Sequence, residues 1–195
     1  MINKSTLKTF SLYAFIFYCQ INAQFKLNFD TKNWQSEYSI EVWTKEDGLP
    51  NNNVYDIIES YDGFIWFGTS DGLVRFDGNQ FKVFNSSNVP QIRANVVRYL
   101  YNDKNGKIWA ANGGAGLLSI DKDKFELISE ESGLSLNHIS SITEDQSGKM
   151  YIGTYGGGIN ILQNGKYNYI TSSMGLSSDI IYSLLVENNG RIWAG

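Results

Sequence analysis

After residue 42 the chain is a succession of short apolar runs separated by polar turns that contain glycine. In residues 43–85 four such runs predict β-strands at Val54–Glu59, Phe64–Gly68, Leu73–Phe76 and Phe81–Phe84. No sustained helical period follows residue 23. Four short antiparallel strands in about 42 residues are typical of one propeller blade.

Equivalent residues recur four times, at spacings of 43, 42 and 42 residues. One set, here named the tryptophan column, consists of Trp66, Trp109, Tyr151 and Trp193. A second set, named the asparagine column, precedes each first strand and consists of Asn52, Asn95, Asn137 and Asp179. A period in the 40s built on short strands indicates propeller blades. We expect the aromatic column to fill the space between blades, and the short polar column to bond loop backbone.

The predicted fold is therefore an all-β propeller of four-stranded antiparallel blades. The blades are expected at about 43–85, 86–129, 130–170 and 171–195, and the last position lies inside the second strand of the fourth block. Closed propellers typically have four to eight blades. We therefore expect an incomplete propeller of three blades and part of a fourth, forming the N-terminal piece of a longer protein.

Residues 1–23 have the organisation of a secretory signal peptide. Lys4 and Lys8 precede an apolar run from Phe10 to Cys19, and Ala23 offers a small residue for cleavage. The apolar run is short for a membrane span, although an uncleaved anchor helix is the alternative. Residues 24–42 form a lead-in segment before the first blade.

Charge and cysteine content narrow the location and the partners. Removal of residues 1–23 takes away two lysines and no acid, so the net charge of −4 becomes −6. An acidic chain disfavours direct binding to nucleic acid. Removal also takes away the single cysteine, Cys19, and export without disulfides fits a bacterial periplasm.

The sequence of the first block is similar to that of a known repeat family. Gly48–Asn52, Asp62–Thr69 and Gly72–Gly78 resemble the two-component regulator propeller repeat, except that Ser60 stands where that repeat usually has aspartate. The second block lacks the Gly-Leu-Pro opening, and the third and fourth keep Gly-Leu. The resemblance extends from about residue 43 onward.

The resemblance implies the periplasmic sensor region of an inner-membrane hybrid histidine kinase. Such receptors are expected to sense a small molecule, often an oligosaccharide, and to act as homodimers. The kinase core and the membrane helix are expected outside these 195 residues, so the segment itself is expected to be non-catalytic. An exported propeller enzyme acting on polysaccharide and a protein-binding propeller scaffold are the alternatives.

Residues with catalytic chemistry are scarce. His138 is the single histidine, and its equivalents in the other blocks are Asn53, Val96 and Ile180. A position that accepts valine and isoleucine does not indicate a catalytic residue. Without further histidines or a mature cysteine, zinc sites and Cys/His or Ser/His catalysis are excluded in this segment. No metal, cofactor or catalytic residue is expected.

A ligand-binding face is the remaining candidate site. Its residues lie in the loops leading into the first strands, in the loops joining the second and third strands, or just inside one first strand. The candidates are Asn53, Asp71, Arg98, Tyr99, Asn112, His138 and Tyr155. Polar groups beside an aromatic plane suit a sugar, and the alternative for each residue is a solvated loop position.

Overall fold

The computed structural model describes residues 40–195, which form three four-stranded sheets and one two-stranded sheet. Blade one contains β1 (Val54–Glu59), β2 (Ile65–Thr69), β3 (Gly72–Phe76) and β4 (Phe81–Phe84). Blade two contains β5 (Val97–Asn102), β6 (Ile108–Asn112), β7 (Leu117–Asp121) and β8 (Lys124–Ile128). Blade three contains β9 (Ile139–Glu144), β10 (Met150–Thr154), β11 (Ile159–Gln163) and β12 (Lys166–Ile170). The fourth sheet contains β13 (Leu184–Val186) and β14 (Ile192–Ala194).

Every sheet is an antiparallel meander in which the strands follow chain order. The first strands of successive sheets contact one another, β1 with β5, β5 with β9, and β9 with β13. The sheets therefore fan out from a row of first strands, which is the arrangement of propeller blades. The predicted all-β propeller with an open ring is confirmed, and each sheet falls inside one of the predicted blocks.

The tryptophan column lies between blades, as expected. Trp66 is buried with Val97 of blade two, and Trp109 is buried with Ile152 of blade three. The third interface follows the same pattern. Trp193, on the last strand, is 54% exposed. These clusters make each blade depend on its neighbour, because a single four-stranded sheet cannot cover its own apolar face.

In most members of this column, the indole N–H or the tyrosine hydroxyl donates a hydrogen bond to a carboxylate. The bonds are Trp109 Nε1 to Asp103 Oδ2 at 2.8 Å, Tyr151 OH to Asp145 Oδ2 at 3.2 Å and Trp193 Nε1 to Glu187 Oε1 at 2.6 Å. Blade one has Ser60 at the equivalent position. Within the described part of the chain, the buried Trp66 Nε1–H consequently has no acceptor.

The asparagine column closes the loop that leads into each first strand. Its side-chain oxygen accepts a backbone N–H from a residue seven or nine positions earlier. The donors are Lys45 to Asn52 at 2.9 Å, Ser86 to Asn95 at 3.0 Å, Glu130 to Asn137 at 2.7 Å and Ser172 to Asp179 at 2.6 Å. This repeated bond confirms that the column binds loop backbone.

Glycine followed by leucine ends a 3₁₀ turn in three of these loops. The turns are Lys45–Asp47, Glu130–Ser132 and Ser172–Met174. Gly48 and Gly133 follow them with φ of 109° and 113°, a region that favours glycine. Leu49 and Leu134, the next residues, are buried. The Gly-Leu motif therefore directs the chain back toward the core before the first strand begins.

The predicted signal peptide, its anchor-helix alternative and most of the lead-in segment lie outside the described residues. Trp43, the first residue of the predicted first blade, packs against Phe76 and Phe81, with ring centroids 5.2 and 6.4 Å apart. Between residues 40 and 195, no helix has both the length and the apolar character needed to span a bilayer.

Candidate ligand-binding site

Each first strand of the three complete blades carries an irregularity near its beginning. The pairing of β1 with β2 shifts between Val54 and Asp56, and that of β5 with β6 shifts between Val97 and Leu100. The pairing of β9 with β10 shifts at the equivalent place. Bulges bend and twist a strand locally and redirect its side chains. The three irregularities lie at the same end of the row of first strands.

We name this end the loop face. It carries the loops leading into β1, β5, β9 and β13 and the loops joining β2 to β3, β6 to β7 and β10 to β11. The turns joining first to second strands lie on the opposite face, because successive antiparallel strands reverse direction.

Four aromatic side chains from three blades meet on the loop face. This aromatic cluster consists of Tyr99, His138, Tyr155 and Tyr182. The hydroxyls of Tyr99 and Tyr155 lie 3.4 Å apart. The Tyr155 ring meets the His138 ring at 5.0 Å and 69°, and the Tyr182 ring at 5.6 Å and 76°. Tyr155 is therefore the centre of a set of edge-to-face contacts.

Backbone hydrogen bonds fix the loop that carries Tyr155. Its N–H donates to the His138 carbonyl at 2.9 Å, and it forms an isolated β-bridge with Ile180. The N–H groups of Gly156 and Gly158 both donate to the Asp179 carbonyl, at 3.1 and 2.9 Å. The loop is thus tied to the segments leading into β9 and β13, which places the rings of neighbouring blades together.

The electrostatics favour a neutral tyrosine at the base of the cluster. Burial, followed by the hydrogen bond with Tyr155, raises the pKa of Tyr99 to about 12. Its hydroxyl therefore stays protonated at neutral pH and can donate as well as accept a hydrogen bond.

Arg98 and Tyr55 extend the cluster into blade one. The Arg98 guanidinium carbon lies 4.8 Å from the centroid of the Tyr55 ring, a cation–π distance. The Tyr55 hydroxyl lies 3.0 Å from Ser70 Oγ, in the loop joining β2 to β3. The guanidinium is thereby placed on the loop face, next to the bulge that carries Tyr99.

Asp56 follows Tyr55 in β1 and connects blade one to blade two. Its carboxylate accepts the Leu100 N–H of blade two at 2.7 Å and the Ile57 N–H at 2.9 Å. Burial raises the pKa of Asp56 to about 6, although both amide donors act to lower the pKa.

The other predicted site residues lie elsewhere on the loop face or beneath it. Asn53 is exposed, and its backbone N–H donates to Asn51 Oδ1 at 2.8 Å. Asp71 accepts from Asn51 Nδ2 at 2.8 Å, so both predicted residues belong to a polar loop network within blade one. Asn112 is fully buried, and its Oδ1 accepts the Ala94 N–H at 3.2 Å. Its observed contact is with loop backbone and not with the open surface.

The structure places the predicted residues Arg98, Tyr99, His138 and Tyr155 on the loop face, beside Tyr182 and Asp56, which were not predicted. A signal for both omissions was present in the repeat. Tyr182 is the equivalent of Arg98 two blocks later, and Asp56 is the equivalent of Tyr99 one block earlier. Within residues 40–195, no group of three or more histidine, cysteine or acidic side chains is placed to hold a metal ion.

The sequence model of the two-component regulator propeller family matches residues 48–71 and 133–156, in blades one and three. Both segments are similar to the two-component regulator propeller repeat. The two matched segments contain the Gly-Leu motif, the first strand and the aromatic residue of the tryptophan column. The resemblance expected from the first block is therefore confirmed, and blade two, which lacks the Gly-Leu opening, lies outside both matches.

Proteins similar to this chain include a histidine kinase and extracellular domains of bacterial regulatory systems. Over 56 residues it is 38% identical to histidine kinase P4 of Formosa agariphila, a match covering 29% of this chain and 4% of that protein. A B. thetaiotaomicron extracellular domain, described as part of a hybrid two-component system, matches with a TM-score of 0.65 and 26% identity. That match covers 80% of this chain and 21% of the domain.

A second B. thetaiotaomicron extracellular domain, described as part of a one-component system, matches with a TM-score of 0.63 and 25% identity. That match covers 83% of this chain and 23% of the domain. The chain thus spans less than a quarter of each of these three relatives. That both solved structures are extracellular domains agrees with the expected extracytoplasmic location.

Proposed function

We propose that this chain is the ligand-sensing propeller of a periplasmic receptor region, that it binds an oligosaccharide on its loop face, and that the signal passes to a histidine kinase. The observation that carries the proposal is the aromatic cluster, which joins blades two and three to the fourth sheet. The similarity to extracellular domains of regulatory systems supports a sensing role without catalysis in this segment.

The chemistry of the cluster suits a sugar. A sugar ring has an apolar face that stacks on aromatic rings and hydroxyls that need hydrogen-bond partners. An edge-to-face contact covers a face of only one of its two rings, and Tyr182 is 65% exposed. The Tyr99 and Tyr155 hydroxyls and the imidazole of the exposed His138 supply donors and acceptors.

The position of the cluster suggests how binding is transmitted. A ligand that contacts Tyr99, Tyr155 and Tyr182 at once would bind best at one relative orientation of three neighbouring blades. Ligand binding would then favour that orientation over others, because a ligand shifts an equilibrium by its differential affinity. In the proposed homodimeric receptor, this change alters the packing between propellers and is passed across the membrane.

The proposal is tested by titrating the protein with a panel of neutral and acidic oligosaccharides and measuring affinity by calorimetry. We expect at least one saccharide to bind and Tyr155→Ala to weaken that binding about ten-fold, the loss of one stacking contact. Tyr61→Ala is the matched control, since Tyr61 is an exposed tyrosine in the β1–β2 turn on the opposite face. Absence of binding across the panel, or equal loss in both variants, would contradict the proposal.

A further inference from the structure

Arg98 is a cation on the loop face without an anionic partner. The ion pairs within residues 40–195 are Arg75 with Asp123, Lys82 with Asp123 and Arg93 with Glu131, so Arg98 takes part in none of them. Its side chain is exposed and its guanidinium lies on the Tyr55 ring. Stacking on an aromatic ring uses the face of the guanidinium and leaves its N–H edge free to donate.

The Asp56 carboxylate forms no ion pair with Arg98. Both oxygens of Asp56 are directed to backbone amides, those of Leu100 and Ile57. The Arg98 charge does reach the aromatic cluster, because it acts to lower the pKa of Tyr99 against the larger effect of burial. Arg98 directly precedes Tyr99 in β5 and stacks on Tyr55 of blade one, so it lies at the blade-one side of the cluster.

We infer that the ligand is an acidic oligosaccharide whose carboxylate is bound by Arg98 while its sugar rings stack on the aromatic cluster. This inference rests on the proposed function and specifies its ligand class. A planar guanidinium matches a carboxylate by two parallel hydrogen bonds, which adds orientation as well as affinity. A uronic acid carries that carboxylate on the sugar ring itself, so one residue can meet the arginine while the next meets Tyr99 and Tyr155.

The overall acidic charge of the chain acts only weakly on a ligand bound at Arg98, although the loop face also carries the exposed Asp71. The net charge of −4 belongs to the whole sequence, and exposed charges more than about 8–10 Å apart are largely screened at ordinary ionic strength. Near the site, Arg98 is the charged donor, and His138 is a second group that can donate a hydrogen bond. Recognition is therefore expected to depend on Arg98 more than on the overall charge.

The test uses the full chain and oligosaccharides of glucuronate, galacturonate, mannuronate and guluronate, each beside its carboxyl-reduced neutral counterpart. Carboxyl reduction removes the charge and leaves the ring and linkages unchanged. We expect at least one acidic saccharide to bind about ten-fold or more tightly than its reduced counterpart. Arg98→Gln should abolish this preference, and Arg98→Lys, which keeps the charge without the planar fork, should retain part of it.

Arg191→Gln is the matched control, because Arg191 also stacks on an aromatic ring, 5.8 Å from the centroid of Trp193, but lies on the opposite face. It should keep the preference for the acid. Binding of neutral saccharides alone would overturn this inference and leave the proposed function standing, whereas no binding would overturn both. A preference for the acid that survives Arg98→Gln would also overturn the assignment, and unfolding midpoints of each variant exclude loss of fold as the cause.

Discussion

At the scale of single residues, the repeat allows equivalent side chains to be compared in different surroundings. Trp66 and Trp109 occupy the same position in successive blades, and both are buried between blades. Only Trp109 has a carboxylate at its indole N–H. The comparison isolates one hydrogen bond against a nearly constant apolar background.

We predict that Trp109→Phe destabilises the protein more than Trp66→Phe does, by about 1.5–3 kcal/mol, the range for a hydrogen bond to a charged group. Trp109→Phe leaves Asp103 Oδ2 buried without its donor, whereas Trp66→Phe removes an N–H that already lacks an acceptor. Urea unfolding of the two variants measures the difference. Equal losses would show that the Trp109–Asp103 bond contributes nothing net.

Asp56 gives a prediction about pH. Its folded-state pKa of about 6 exceeds its ordinary value of 3.8, so the folded state binds the proton more tightly than the unfolded state. The stability contributed by this proton is fully present below about pH 3.8 and is lost as the pH rises through about 6. Asp56→Asn removes the titration.

The measurement is the urea midpoint of the wild type and of Asp56→Asn at pH values on either side of this window. The asparagine side chain has one oxygen and can accept only one of the two amide N–H groups. The variant is therefore expected to be less stable at every pH, and the readout is the change of the difference with pH. We expect the wild type to lose stability relative to the variant as pH rises, since other titrating groups cancel in the difference. Parallel pH profiles would rule out a raised pKa at Asp56.

At the scale of elements, each loop leading into a first strand contains an equivalent hydrogen bond, although the loop sequences differ. Blade two lacks the Gly-Leu opening, yet Asn95 accepts the Ser86 N–H as its equivalents accept theirs. The side-chain oxygen accepts a backbone N–H of the loop, which has no partner in a sheet.

We predict that Asn95→Ala destabilises the protein by about 1 kcal/mol, because it leaves the Ser86 N–H without its acceptor. Asn95→Asp should be nearly neutral, since Asp179 holds the same place and accepts the Ser172 N–H at 2.6 Å. Thermal unfolding of both variants tests the pair. A similar loss in Asn95→Asp would mean that the amide nitrogen, and not the oxygen, matters.

The strands were predictable from the sequence and the aromatic cluster only in part. The strands of blade one begin and end within one residue of their predicted bounds. They were predictable because the same apolar positions are buried in every blade. Bulges left no mark in the apolar pattern, since the extra residues are polar or aromatic, such as Tyr55 and Arg98. The place of Tyr182 beside Tyr155 depends on how two blades pack, which spacing within one repeat does not specify.

At the scale of the whole molecule, stability resides in the interfaces between blades. Successive interfaces share a sheet but use opposite faces of it, as Leu117 and Leu118 show by packing in different buried clusters. In a stack of this kind, energies are expected to add between interfaces and to couple within one. Ile108 and Ile120 are cross-strand partners in the first interface, whereas Ile152 belongs to the second.

We predict that Ile120→Val and Ile152→Val each cost about 0.5–1.5 kcal/mol and that the double variant equals their sum within about 0.5 kcal/mol. Ile108→Val with Ile120→Val, which each remove a methyl group from the same interface, should deviate from the sum by more. Urea unfolding of the singles and both doubles completes the two cycles. If the coupling between the two interfaces were as large as the coupling within one, the blades would respond together. A ligand at the aromatic cluster could then alter blade one without contacting it.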